Sequence, residues 1–96
     1  LYDVHYVKKL KGDKNEDLYG QIDYLEIWIR ICNKYNLQKK LQILLHECLH
    51  GILEEIQLEI DNEATLERLS NAIYAFMIDN PRFIRKILDF NKEKRK

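Results

Sequence analysis

The sequence has little proline, glycine or cysteine: one Pro, three Gly and two Cys among 96 residues. This excludes a collagen-like chain and a disulfide-rich scaffold, and a hydrophobic share of 46% excludes a disordered chain. No apolar run approaches the roughly 18 residues that a membrane-spanning helix needs. We therefore expect residues 1–96 to form one compact domain that does not associate with a membrane.

The two cysteines, Cys32 and Cys48, are too few for a disulfide framework, and no apolar segment typical of a secretory signal precedes them. We expect both to be buried, reduced thiols in a cytoplasmic protein. Because the chain begins at Leu1 rather than Met, we also expect a short preceding segment.

The chain has no net charge, which argues against a protein whose whole surface binds nucleic acid. The charges are segregated, however. Residues 54–79 contain seven acids and one base, whereas residues 82–96 contain seven bases and two acids. This pattern is typical of a solvated acidic face and a frayed basic tail, which we place at residues 91–96. The alternative is a tail that docks on an anionic partner, and it is the only route by which we expect contact with nucleic acid.

The N-terminal third predicts β-strands. Residues 1–10 contain Tyr2, Val4 and Tyr6 at alternate positions, a period typical of a half-buried strand. The polar stretch 11–17 predicts a loop. Residues 18–31 are rich in β-branched and aromatic side chains, which predicts two strands joined by a turn near Leu25 and Glu26. The residues expected on one face of the second of these strands are Ile27, Ile29 and Ile31.

A helix is predicted to follow Asn36, a plausible N-cap, and to run to about Ile56. Its apolar residues recur every three or four positions around most of its circumference, so we expect it to be mostly buried. A second helix starts with Asp61 or Asn62 as its cap and runs to about Asp79.

A third, short helix begins at Pro81, which is favourable as a first helical residue, and extends through Phe90. The elements together predict an α+β fold, in which a small antiparallel sheet packs on two or three helices.

The residues His46-Glu47-Cys48-Leu49-His50 form an H-E-x-x-H motif inside the first predicted helix. At about 100° per residue, His50 lies about 40° from His46 and one turn further on, so both imidazoles can reach one tetrahedral Zn²⁺. Glu47 lies beside them, and Cys48 points to the opposite side of the helix, into the core. The alternative is a buried helix whose histidines pair with each other or with a carboxylate.

A catalytic zinc site needs a third protein ligand and an open position for water. The extended motif that would supply a third histidine fails, because Leu53 and Ile56 occupy its glycine and histidine positions. His5 is expected to be exposed on the first strand. Glu63 and Glu67 share one face of the second helix, so one can bind the metal while the other orients a ligand histidine. We favour Glu63 as the ligand because it points inward, with Glu67 as the alternative.

The motif and its surroundings resemble a family. The segments LLHECLHGI and NEATLERLSNAIYAFMIDNP, preceded by LYGQIDYLEIWIRI, are similar to small metallopeptidase-like proteins of bacteriophage and prophage genomes, related to the ImmA/IrrE class of zinc metallopeptidases. The resemblance covers about residues 18–84. It implies a strand pair before the motif helix, a glutamate third ligand at Glu63 with Glu67 in reserve, and the cytoplasm of a bacterial host cell.

The chain departs from that family in two ways. Cys48 stands where such motifs usually have an aliphatic residue. No residue matches the Tyr or His that often stabilises the oxyanion in larger relatives, since Tyr74 lies about 16 Å from Glu63 along the helix axis.

The expected function is hydrolysis of a peptide bond in a protein or peptide substrate, such as a repressor or another phage or host regulator. Zinc would polarise the scissile carbonyl, and Glu47 would take a proton from water and deliver it to the leaving amine. Strand 27–31 is expected to offer the substrate a sheet edge. The alternative function is a zinc-stabilised module that binds a protein or nucleoprotein without cutting it.

Overall fold

The computed structural model describes residues 2–60 and 62–94. Three sequence-based expectations therefore involve residues outside this part of the chain: Leu1 of the first predicted strand, Asp61 as a possible helix cap, and residues 95–96 of the basic tail.

The described residues form an α+β fold, as predicted. The elements are β1 (Asp3–Val7), β2 (Gly20–Asp23), β3 (Trp28–Cys32), α1 (Leu37–Glu55), α2 (Glu63–Asp79) and α3 (Pro81–Lys94). Among these residues no helix combines the length and the apolar composition needed to cross a membrane.

The sheet is mixed and has the strand order β1-β3-β2. β2 pairs with β3 in the antiparallel direction, as expected, but β1 runs parallel to β3, with Tyr6 opposite Ile31. The prediction of an entirely antiparallel sheet is therefore wrong for β1, because the alternation of apolar residues indicates which face is buried and not the direction of pairing. β3 is paired on both sides, so the prediction that residues 27–31 provide a sheet edge is also wrong.

The predicted turn between β2 and β3 is present at residues 24–27. The Asp23 carboxylate accepts hydrogen bonds from the backbone N–H groups of Leu25 and Glu26 at 3.0 and 2.9 Å. Ile27 ends the turn in the left-handed region, with φ of 58°, and its side chain is exposed. Contrary to expectation, it does not share the buried face of the strand.

The core lies where α1 crosses the sheet. Ile29 and Ile31 of β3 and Ile43 of α1 are buried against one another, and Cys48 packs partly against them. Both thiols are free, as expected, although Cys48 is only half-buried. α1 as a whole is less buried than predicted, because the sheet and α2 cover only part of its surface. Its exposed apolar residues are Leu37, Leu41 and Ile52.

Asparagine side chains begin the first two helices. The Asn36 side chain accepts a hydrogen bond from the Lys39 N–H at 2.9 Å, and Asn62 accepts one from the Ala64 N–H at 2.8 Å. Both caps agree with the sequence-based prediction.

α2 packs on α1 so that its first turn faces the middle of α1, where the motif lies. Pro81 begins α3, which is longer than predicted and packs on α2 alone among the described elements.

Candidate metal centre

The spacing of the motif on α1 places both histidines on the side of the helix that faces α2. The rings of His46 and His50 are 4.9 Å apart between centroids and meet edge to face. Their side chains are 15% and 27% exposed, so each ring keeps some access to solvent. His5, the remaining histidine, is exposed on β1 and is not among the described residues that could together hold a metal ion.

Glu63, the first residue of α2, closes the group from the opposite side. Its Oε1 lies 2.6 Å from His46 Nε2 and 3.4 Å from His50 Nε2. The three ligand atoms offered by these residues all lie within 4.8 Å of one another. The structure therefore brings His46, His50 and Glu63 together as a group that could hold a metal ion.

One distance between ligand atoms fits tetrahedral coordination and another does not. Two nitrogen or oxygen ligands of zinc lie about 3.3 Å apart, given bonds of about 2.0–2.2 Å and tetrahedral angles. The separation of 3.4 Å between His50 Nε2 and Glu63 Oε1 matches this value. The 2.6 Å contact with His46 is a hydrogen-bonding distance and would have to lengthen. Glu63 can make this adjustment because its side chain is 69% exposed.

Glu67 lies one turn further along α2 and approaches the other nitrogen of His46. Its Oε2 is 3.1 Å from Nδ1, but the approach does not satisfy hydrogen-bond geometry, so Nδ1 is buried without a partner among the described residues. A small rotation of the carboxylate would complete the bond. Glu67 is therefore placed to orient His46, while Glu63 contacts the Nε2 atoms of both histidines.

Glu47 lies beneath the two histidines and is 7% exposed. Burial raises the pKa of its carboxyl group from 4.5 to about 7, and the charge of Glu63 adds to the rise while His50 opposes it. Its Oε2 is buried and has no hydrogen-bond partner in the described part of the chain. Burying an unpaired carboxyl group costs free energy, and most of that cost falls on its charged form.

Gly20, at the start of β2, allows the sheet to approach Glu47. A Cβ atom at this position would lie 2.7 Å from Ile43 Cγ2 and 3.0 Å from Glu47 Cγ. The sequence analysis missed this residue. A lone glycine in a strand pattern does signal a close backbone approach, although it does not show which residue is approached.

Two cavities adjoin the histidines. The first, of about 300 Å³, is lined by His46 and Glu67 together with Tyr19 and Lys39. The second, of about 190 Å³, is lined by His50 and Tyr24. Both open beside the metal group and can accept parts of a ligand.

Tyr24 is a second residue that the sequence analysis missed. Burial raises the pKa of its phenol above the ordinary 10.0, and the charges of Glu54 and Glu47 add to the rise. The phenol is therefore protonated at neutral pH and can donate a hydrogen bond. No motif marks Tyr24, because only the packing of the hairpin against α1 brings it to the cavity beside His50.

Comparison of the chain with protein-family models, with curated proteins and with solved structures found no match.

Proposed function

We propose that the protein is a zinc-dependent metallopeptidase in which His46, His50 and Glu63 hold the ion and Glu47 is the catalytic base. One observation carries this proposal: three ligand atoms within 4.8 Å of one another lie beside a buried carboxylate whose pKa is raised to about 7. Imidazole and carboxylate are ligands that zinc takes in hydrolytic sites. When bound, zinc would polarise the scissile carbonyl and acidify a water molecule.

Glu47 is suited to move protons in both directions. Burial raises its pKa to about 7 in the metal-free protein. In the loaded enzyme, a carboxylate beside the metal ligands would accept a proton from water and later donate it to the leaving amine. Its side chain lies close to Gly20, where an added Cβ would come within 3.0 Å of Glu47 Cγ. Glu67 would fix the ring of His46.

A peptide substrate can lie along the outer edge of β2. Within residues 2–60 and 62–94, β2 pairs only with β3, so its other edge is open for an extended chain. Gly20 places this edge beside Glu47. Tyr24 directly follows the last residue of β2. Its phenol would donate a hydrogen bond to the oxygen of the scissile carbonyl as negative charge develops there.

The resemblance to phage and prophage metallopeptidase-like proteins supports this proposal and suggests a repressor or another regulator in the bacterial cytoplasm as the substrate. The test is cleavage of candidate phage and host repressors by zinc-loaded protein. We expect cleavage by the wild type, none by Glu47→Gln with zinc retained, and none by His46→Ala with zinc lost. Glu26→Gln, which changes an exposed carboxylate in the β2–β3 turn that lines neither cavity beside the histidines, is the matched control and should cleave normally.

The second candidate function is a zinc-stabilised binding module. It is favoured by the basic side of α3, where Arg82, Arg85 and Lys86 form no ion pair among the described residues. The cellular phenotypes of two variants distinguish the candidates. If His46→Ala abolishes the biological effect and Glu47→Gln leaves it intact, no proton transfer is needed, and the peptidase proposal fails.

A further inference from the structure

The smaller of the two cavities beside the metal group has apolar walls and carries two carboxylates. Its volume is about 190 Å³, and we call it the His50 cavity. Its lining includes Tyr24, His50, Leu53, Glu54, Glu59 and Leu66. Sites for whole small-molecule ligands usually have volumes of about 300–1,000 Å³, so a cavity of this size suits a single side chain.

The His50 cavity adjoins the place where cleavage would occur. His50 belongs to the group that could hold a metal ion, and Tyr24 directly follows β2, along which the substrate would lie. Glu54 comes four residues after His50 on α1, so it lies on the same side of the helix and about 6 Å further along its axis. A side chain in this cavity would therefore belong to a residue next to the scissile bond.

The His50 cavity is acidic. Glu54 and Glu59 are exposed, and neither forms an ion pair within residues 2–60 and 62–94. No lysine or arginine among those residues lines the cavity. Besides burial, which is the main cause, the charges of Glu54 and Glu47 raise the pKa of the Tyr24 phenol. A metal ion would take up the charge of Glu63, but neither Glu54 nor Glu59 belongs to the metal group.

Lysine and arginine side chains match these walls and charges. Both have an apolar stem that packs on apolar surface and a charged end that stays near water. In the His50 cavity, the stem would lie on Leu53 and on Leu66, which is only 2% exposed. The charged end would reach the exposed carboxylates of Glu54 and Glu59. The same two carboxylates would repel an acidic side chain.

The cavity beside His46 does not select for charge in this way. Its lining includes one base and one acid, Lys39 and Glu67, together with the uncharged Gln42 and Asn71. These charges cancel, so a preference for a charged substrate residue arises on the His50 side of the metal group.

We propose that the His50 cavity binds a lysine or arginine side chain next to the scissile bond, and that Glu54 and Glu59 determine this specificity. The inference rests on the proposed peptidase function and names the class of peptide that the site takes. Glu54 and Glu59 contact the substrate in this role and move no proton.

The experiment compares three pools of synthetic peptides with randomised flanking positions and one fixed central residue. The fixed residue is lysine, norleucine or glutamate, and norleucine keeps the four-carbon stem of lysine without its ammonium group. Zinc-loaded protein should cleave the lysine pool beside that residue, with a kcat/KM about 5- to 10-fold above the norleucine pool. Two partly exposed charge pairs together amount to about this factor. The glutamate pool should be cleaved least, as mass spectrometry of the products would show.

A second measurement needs no cleavage. In NMR titrations of the isotope-labelled Glu47→Gln variant, the N-acetyl, N-methylamide derivative of lysine should shift the amide signals of Leu53 and Glu54. The norleucine derivative should bind several-fold more weakly. Because the preference is electrostatic, 0.5 M salt should reduce it in both measurements.

The double variant Glu54→Gln, Glu59→Gln should cleave and bind the lysine and norleucine probes about equally. Glu55→Gln is the matched control, because it removes an exposed carboxylate next to Glu54 that does not line the cavity. It should keep the wild-type preference. Circular dichroism and zinc content establish that each variant is folded, which is expected because all three carboxylates are exposed.

Equal cleavage of the three pools by the wild type would overturn this inference and leave the peptidase proposal standing. A lysine preference that persists in the folded double variant would also overturn it. If no pool is cleaved but lysine binds better than norleucine only while Glu54 and Glu59 are present, the peptidase proposal fails and the specificity of the cavity stands. The absence of both cleavage and binding would overturn both.

Discussion

Glu67 Oε2 lies 3.1 Å from Nδ1 of His46, while Glu63 Oε1 lies 2.6 Å from Nε2 of the same ring. The two carboxylates therefore lie at opposite edges of the imidazole, and of the two only Glu63 is within hydrogen-bond geometry. Only Glu63 also reaches His50. This difference separates a residue that binds the ion from a residue that orients a ligand, and it predicts unequal effects when the two carboxylates are replaced.

Glu63→Gln should weaken zinc retention by more than the roughly 10- to 100-fold that is usual for residues orienting a ligand, and Glu67→Gln should fall within that range. The measurement is competition for zinc with a chelator of known affinity, with Glu26→Gln as the control. A larger loss in Glu67→Gln than in Glu63→Gln would move the third ligand one turn along α2.

The purified protein should contain about one zinc ion per chain after gel filtration in metal-replete buffer. His46→Ala should lose the ion and, with it, thermal stability, because a metal at 100 times its dissociation constant stabilises the folded state by about 2.7 kcal/mol. Elemental analysis and thermal unfolding measure both. Zinc content near zero would leave the contact between His46 and Glu63 as a hydrogen bond without metal, which is the alternative of a histidine paired with a carboxylate.

Much of the site could be predicted from sequence because α-helical geometry is regular. The spacing of His46 and His50 fixes a shared face on any helix, and Asn62 followed by Glu63 marks where the next helix begins. What could not be predicted depends on tertiary packing. Local periodicity does not encode how elements pack against one another. It therefore could not predict the parallel pairing of β1 or the exposed apolar area of α1. It also could not place Gly20 and Tyr24 beside the motif.

Gly20→Ala should lower the free energy of unfolding by about 1–3 kcal/mol, the usual effect of overpacking, because the new methyl group would meet Ile43 Cγ2 at 2.7 Å. It should also reduce cleavage by displacing Glu47. Urea unfolding and a cleavage assay measure the two effects. Gly12→Ala is the matched control, since there the methyl group would meet only the end of the exposed, flexible Glu16 side chain. Equal, small effects in both variants would show that β2 can move away from α1 at little cost.

Tyr24→Phe should lower kcat by about 100-fold if the phenol stabilises developing negative charge on the substrate carbonyl oxygen. Zinc content and stability should change little, because the ring is retained. Tyr74→Phe, a change on α2 away from the cavity beside His50, is the control. An unchanged kcat in Tyr24→Phe would remove this residue from the proposed mechanism and leave the roles of Glu47 and the metal ligands untouched.

Glu47→Gln should stabilise the metal-free protein at pH 8 and have little effect at pH 4. Burial raises the pKa of Glu47 to about 7 in the folded state, above its ordinary value of 4.5. The folded state therefore holds a proton that the unfolded state releases. Stability from this group is fully present below pH 4.5 and is lost as the pH rises through about 7. At pH 8 the wild type bears the cost of a buried charge of about 2–3 kcal/mol, which glutamine avoids.

Urea unfolding in the presence of a chelator, at several pH values between 4 and 8, measures this effect, with Glu26→Gln as the control for a carboxylate in solvent. A difference between wild type and Glu47→Gln that grows with pH would show that the protein keeps a destabilising carboxylate beside its histidines. Proteins retain such a group at a cost in stability where it serves chemistry. A difference independent of pH would mean that Glu47 is well solvated, and the reason to regard it as a base tuned to neutral pH would disappear.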